Sequence, residues 1–193
     1  MPPHVAALVG SLRDESISRI ALRETLATAA SRGADTDLVD LRKLDLPVFD
    51  PDDENAGDAD VVRRRLQAAD AIVLGTPVYH GSYASPLKVA IDYSGFDEFE
   101  NTTVGLLAVA GGSFPISALD HLRSVMRSLD AWVLPHQVAI PNASEVVEAG
   151  SIADDEVATR IETLGDQLVQ YATIEPDPVS FEGEHNAGAT PDR

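Results

Sequence analysis

Val5–Arg19 reads VAALVGSLRDESISR. Five apolar residues lead to Gly10, then to a turn holding three serines and two arginines, then to a helical pattern that continues to about Ala30. A strand that hands over to a helix through such a turn makes a corner suited to an anion. The first N–H groups of a helix have no intrahelical acceptor, and the macrodipole places about half a positive charge there. Ser11, Ser16 and Ser18 offer hydroxyl donors, and Arg13 and Arg19 offer charge-assisted ones. The competing reading makes Ser16 or Ser18 an ordinary helix cap. Three serines and two arginines within Gly10–Arg19 favour the anion site.

Outward from this corner, strand and helix patterns alternate. His4 to Val9 is apolar throughout, as a strand buried on both faces would be. A helix from about Ser18 to Ser31 turns Leu22, Leu26 and Ala29 to one side, with Gly33 as its C-terminal stop. Thr36 to Leu41 is a shorter strand nearer an edge. Asp45 to Ala56 reads as a loop. Asp58 to Ala68 reads as a helix with Val62 and Leu66 inward and Arg63, Arg64 and Arg65 on its solvated side. Ala71 to Gly75 is a third strand, and it runs into TPVYHGSYASPLK, Thr76 to Lys88. A helix from about Pro86 to Tyr93 follows, with Lys88 and Asp92 spaced for an intrahelical ion pair. Thr103 to Ala110 is a fourth strand ending at Gly111 and Gly112. Ile116, Leu119, Leu122, Met126 and Leu129 mark an amphipathic helix whose Arg123 and Arg127 lie on the solvated face. A fifth strand starts at Ala131, with Trp132 in the core or an interface, and resumes after Pro135 to reach Ile140. The last helix runs from about Asp154 to Ala172. From Ile174 the chain loses its period, so the expected organisation is one domain over 1–173 and a disordered acidic tail over 174–193.

Alternation of this kind predicts an α/β fold: a parallel sheet of five strands with helices on both faces, doubly wound and flavodoxin-like, in order 2-1-3-4-5. Ligands of such sheets bind at the carboxyl ends of the strands, near the switch point. The turns after strands one, three and four, GSLRDESISR, TPVYHGSY and AGGS, are therefore expected to converge.

Composition narrows the function. The chain has 193 residues, no cysteine, and a formal charge of −18 from 32 acids against 14 Lys and Arg. Without cysteine there are no disulfides, thiolate nucleophiles or Cys-ligated metals. No basic stripe exists to release counterions, so nucleic-acid binding is disfavoured. No run reaches the ~18 apolar residues of a membrane span. No basic segment precedes the first strand, so neither a signal peptide nor export is expected and the cytoplasm is the expected location. The acid excess suits a halophile, because at ~1 M salt the Debye length falls to ~3 Å and self-repulsion is screened; the alternative is an ordinary acidic protein that avoids nucleic acid. No His, Asp and Glu set has metal-ligand spacing. GxSxG, GxGxxG and Walker A motifs are all absent.

The first turn resembles GSLRxxSxNR of the NADPH-dependent FMN reductase family, which includes quinone, chromate and azo reductases. Gly10, Ser11, Leu12, Arg13, Ser16 and Arg19 match, with Ser18 in place of Asn. The second turn is similar to that family's PEYNGSxPGxLKNAIDW at Pro77, Tyr79, Gly81, Ser82, Leu87, Lys88, Ala90, Ile91 and Asp92. It departs at Val78 for Glu, His80 for Asn, Ala84-Ser85 for Pro-Gly, Val89 for Asn and Tyr93 for Trp. Glycine after strand four and Leu122-Arg123 in the next helix give a weaker third likeness. Together these cover about residues 4 to 140.

The resemblance implies an FMN phosphate on Ser11, Arg13, Ser16, Ser18 and Arg19, with Asp14 and Glu15 turned to solvent. It implies an isoalloxazine ring against Pro77, Val78, Tyr79, His80, Gly81 and Ser82, with Gly111 and Gly112 leaving room for its pyrimidine end. NADPH or NADH would deliver hydride to FMN, and an acceptor such as a quinone would then take the electrons. No side-chain base is needed, so no catalytic residue is assigned. A homodimer or homotetramer is implied as well. Two other classes stay open: a flavodoxin-type electron carrier without steady turnover, and a flavin-free interaction domain on the same scaffold.

Overall fold

The computed structural model describes residues 1–173, so the expected tail over 174–193 lies outside the described residues. In chain order the elements are β1 (His4–Val9), α1 (Ile17–Ser31), β2 (Asp35–Asp40), α2 (Ala59–Gln67), β3 (Ala71–Tyr79), β4 (Ser82–Tyr83), α3 (Ser85–Asp92), α4 (Phe96–Phe99), β5 (Thr103–Val109), α5 (Ile116–Arg127), β6 (Trp132–Ile140), β7 (Val147–Glu148), β8 (Ser151–Ile152) and α6 (Asp155–Gln170). The main sheet runs β2-β1-β3-β5-β6, all parallel along this path. This is the expected order, with the last two strands renumbered because β4 intervenes. Two short hairpins, β3–β4 and β7–β8, and the one-turn helix α4 were not legible in the sequence.

The apolar strands bury both faces. Val5, Ala7 and Val9 of β1 join a core with Leu22 and Leu26 of α1 and Ile161, Leu164 and Leu168 of α6. Ala6 and Leu8 face the other way, into a core with Val62, Leu66, Leu87, Leu119 and Leu122. Register brings four strand ends together at the top of the sheet. Val9 stands between Asp40 of β2 and Gly75 of β3, and Pro77 stands beside Val109 of β5.

Four expectations need correction. β3 continues past Gly75 to Tyr79, because Thr76 and Pro77 still pair with β5 while Val78 and Tyr79 pair back on β4. Arg63 and Arg65 are not a solvated face. Arg63 donates to the Glu54 carbonyl at 2.8 Å, closing the 45–58 loop, and Arg65 Nε donates to Asp37 at 2.7 Å on β2. The Arg65 hydrogen bonds hold the Asp37 carboxyl below the ordinary carboxylate range and raise the guanidinium's own pKa. Arg123 is likewise engaged, donating to the Leu134 carbonyl at 3.0 Å and to Gln137 at 2.8 Å. It does so where β6 shifts register against β5 around Pro135, which has no N–H to donate. Trp132 opens β6 at 43% exposure, so of its two expected places, core or interface, the core is excluded. The Lys88–Asp92 ion pair forms as expected.

Candidate functional site

The β1–α1 turn is built around a close backbone approach. Gly10 N donates to Gly75 O at 2.8 Å, and a Cβ on Gly10 would stand 2.8 Å from Leu87 Cβ. From there the chain loops outward and returns at Ser16, the N-cap of α1, whose hydroxyl accepts from Arg19 N at 3.1 Å. The capping reading of Ser16 is thus realised.

Arg19 is the centre of this loop. It is 6% exposed. Its Nε donates to Asp40 Oδ2 at 2.9 Å and Nη2 to Asp40 Oδ1 at 3.3 Å. Nη1 donates to the Arg13 and Asp14 carbonyls, each at 3.0 Å, and Nη2 to the Ser11 carbonyl at 3.4 Å. Those contacts occupy all five guanidinium N–H groups. In this conformation Arg19 therefore has no donor left for a phosphate. Arg13 differs: it is exposed, and its guanidinium has no acceptor among the described residues. Asp14, expected to face solvent, has a side chain 79% exposed and pairs with Arg42.

The β3–β4 turn is a two-residue hairpin. His80 and Gly81 both take left-handed φ, 51° and 77°, which is the geometry of a tight turn that matches strand twist. Thr76 locks its base: the buried hydroxyl accepts from Ala84 N at 2.9 Å and donates to the Pro77 carbonyl at 2.8 Å. Ser82 Oγ meets His121 Nδ1 of α5 at 3.0 Å.

Between these turns lies a cleft of about 850 Å³. Of the residues singled out in the sequence, it is lined by Ser11, Arg13, Ser16, Ser18, Arg19, Pro77, Val78, Tyr79 and Gly111, and also by Asp14 and Glu15, two carboxylates of the same loop that were expected to turn to solvent. His80, Gly81 and Ser82 stand outside its lining because the hairpin carries them past its rim, and Gly112, in the turn after β5, is outside it too. A wall the sequence reading missed comes from the segment after β6: Ala143 and Ser144, then Val147 and Gly150 of the β7–β8 hairpin. Glu24 of α1 ties that hairpin down by accepting from Ile152 N at 3.0 Å. The signal was faint: Val147 and Ile152 flank an Ala149–Gly150 turn, and alanine seldom adopts the φ of 48° found there. Arg23 also lines the cleft from the second turn of α1.

The chain is 36% identical over 118 residues to an FMN-dependent NADPH-azoreductase of Staphylococcus aureus. That match takes in 60% of the chain and 63% of the azoreductase, so the chain spans less than two thirds of this curated relative. Among solved structures, the apo form of an NADH:FMN oxidoreductase superposes with a TM-score of 0.72 at 22% identity, over 90% of this chain and 92% of that one. FerB, a flavoenzyme NAD(P)H:(acceptor) oxidoreductase from Paracoccus denitrificans, gives 0.72 at 22% identity over 88% and 97%. These two likenesses establish the flavodoxin-like fold. Residues 3–145, from the first strand to the wall beyond β6, match the NADPH-dependent FMN reductase model, and the chain belongs to that family.

Proposed function

We propose that the chain is an FMN-dependent oxidoreductase that takes reducing equivalents from NADPH or NADH and passes them to a small-molecule acceptor such as a quinone or an azo compound. The observation that carries this reading is the polarity of the β1–α1 corner. The N–H groups of Leu12, Asp14, Glu15 and Ser16 find no acceptor among the described residues. Those of Ile17 and Ser18, the first of α1, are orphaned as in any helix. Asp14 to Ser18 of this row, but not Leu12, share one cleft with the unpaired Arg13 and with Pro77, Val78 and Tyr79.

The residues fit FMN. A phosphomonoester carries nearly two negative charges at neutral pH and three acceptor oxygens, which a row of free N–H groups and one free guanidinium would hold. Ser16 uses its hydroxyl as an acceptor toward Arg19 N, so its hydrogen remains free to donate to a phosphate oxygen. Ser11 and Ser18 would add hydroxyls from the same wall. Pro77, Val78 and Tyr79 would support the ring, and Gly111, with nothing within 4 Å of where a Cβ would stand, leaves space for it. Bound FMN supplies the hydride chemistry. The chain's part is to anchor the phosphate, orient the ring and screen it from water.

Three further readings belong to the same proposal. The acid excess, spread over helices and loops, suits a cytoplasm of high salt, and we place the protein in a halophile. Tyr79 at the end of β3, Phe114 before α5 and Ile116 at its start, exposed at 52%, 83% and 49%, suit cover by a second copy in a homodimer or homotetramer. No helix among the described residues is long and apolar enough to cross a membrane.

Purification in molar salt, a visible spectrum and anaerobic titration with each nicotinamide test the reading. A yellow protein that oxidises NADPH or NADH catalytically with a quinone present supports it. A yellow protein reduced without turnover makes it a flavodoxin-type carrier. A colourless protein that takes up no FMN on soaking overturns it. Sedimentation in the same salt reads the assembly size.

A further inference from the structure

We propose that Arg19, held by Asp40, is the positioning residue of the anion corner: it fixes which way the loop's peptides point and does not touch the anion. The proposal rests on reading this corner as the FMN phosphate site.

Three of the Arg19 hydrogen bonds go to carbonyls of the loop itself, those of Ser11, Arg13 and Asp14. A trans peptide holds its C=O and N–H on opposite sides. Drawing these three carbonyls onto the guanidinium therefore turns the N–H groups of Leu12, Asp14 and Glu15 the other way. These N–H groups are among those left without an acceptor among the described residues. The guanidinium thus sorts the loop, with oxygens on its own side and hydrogens on the opposite one. A carbonyl pointing the wrong way would present a partial negative charge to a phosphate.

Asp40 makes the arrangement rigid. It ends β2 in register with Val9, immediately before Gly10, and it is as buried as the arginine it holds. Its Oδ1 also accepts from Arg42 N at 3.3 Å, and Arg42 in turn draws the Asp14 carboxylate aside. The Arg19–Asp40 pair is neutral overall, so the positive charge available to an anion is that of Arg13 on the loop and of Arg23 on α1. Lysine could not replace Arg19: it has three donors on one atom and no planar fork to span a carboxylate and three carbonyls.

The test uses the full chain as wild type, Arg19→Lys and Asp40→Asn, folded by circular dichroism, titrated with FMN and with riboflavin by flavin fluorescence in molar salt. Riboflavin lacks the phosphate and reports the ring site alone. The expected result is a loss of FMN affinity of about tenfold or more in both variants, with riboflavin affinity kept. Three results would overturn the proposal: an unchanged FMN-to-riboflavin ratio in Arg19→Lys, an equal loss for both flavins, or tighter FMN binding in Asp40→Asn. The last would mean that a released guanidinium is itself a ligand. A wild type that binds neither flavin sinks the flavin reading and leaves the loop to be judged with inorganic phosphate by amide NMR. Shifts at Leu12, Asp14 and Glu15 that vanish in Arg19→Lys uphold the proposal; identical spectra in both proteins, or no shift in either, reject it.

Discussion

After β1 the chain folds around a buried cation, whereas after β3 it folds on its own backbone. Five donors of Arg19 and the Asp40 carboxylate shape the first turn, behind a surface of unpaired N–H groups. The second turn needs only two left-handed residues, two ladder pairs and the Thr76 hydroxyl, and it leaves Tyr79 half in solvent. The two sides of one cleft are therefore unequal. One is a polar corner finished before any ligand arrives. The other is an apolar crest that leaves Tyr79 half in solvent. An anion calls for donors fixed in advance, since an ordered charge site must not reorganise on binding; a flat apolar ring calls for surface.

Breaking the buried pair should have the largest effect. Asp40→Ala leaves Arg19 charged and unpartnered in the interior, and a loss of about 3–5 kcal/mol in denaturant unfolding is expected. A loss below ~1 kcal/mol would show that the corner is not held as described. Next comes Gly10→Ala, whose new methyl meets Leu87 Cβ and lies 3.1 Å from Gly75 O. Overpacking there should cost about 1–3 kcal/mol, read as a lowered thermal midpoint. On the crest, Thr76→Val removes the acceptor of Ala84 N–H; a cost of about 1–2 kcal/mol is expected, with faster hydrogen exchange at Ala84.

Arg65→Gln probes the strand that carries Asp40. Since Arg65 depresses the Asp37 pKa, its contribution is present above the ordinary carboxylate range and is lost as pH falls through the lower, folded value. The pair is about one-third exposed, so about 1 kcal/mol at neutral pH is expected. The gap between wild type and variant should close as pH falls below the ordinary carboxylate range, by urea unfolding at each pH. Tyr79→Ser should be the smallest, within about 0.5 kcal/mol in stability, because the ring is half exposed. Its effect should fall on flavin affinity, and a large stability loss would erase the contrast between corner and crest.

Much of this could be read from the chain. Continuous apolar runs such as AIVLG at Ala71–Gly75 announced strands buried on both faces, and the helical spacing of Leu22 and Leu26, or of Ile161, Leu164 and Leu168, announced what would cover them. Nine of the thirteen residues named for the cleft line it. His80, Gly81 and Ser82 do not, since a motif gives the neighbourhood of a residue but not the direction in which a hairpin carries it, and Gly112 lies one residue beyond the lining at Gly111. The wall from Ala143 to Gly150 escaped notice because its strands are two residues long and have no period to detect.

The sequence by itself determined the fold class, the strand order and the place where an anion could be held. Those follow from local periodicity and from the chirality of crossover connections, which act within a few tens of residues. Only the tertiary structure decided what each arginine does. Arg13 and Arg19 are six positions apart in the same motif, yet one stands open on the cleft and the other is consumed by Asp40, a residue twenty-one positions further on that β2 brings alongside. A guanidinium's role depends on which acceptors surround it, and the pairing of distant strands selects those acceptors.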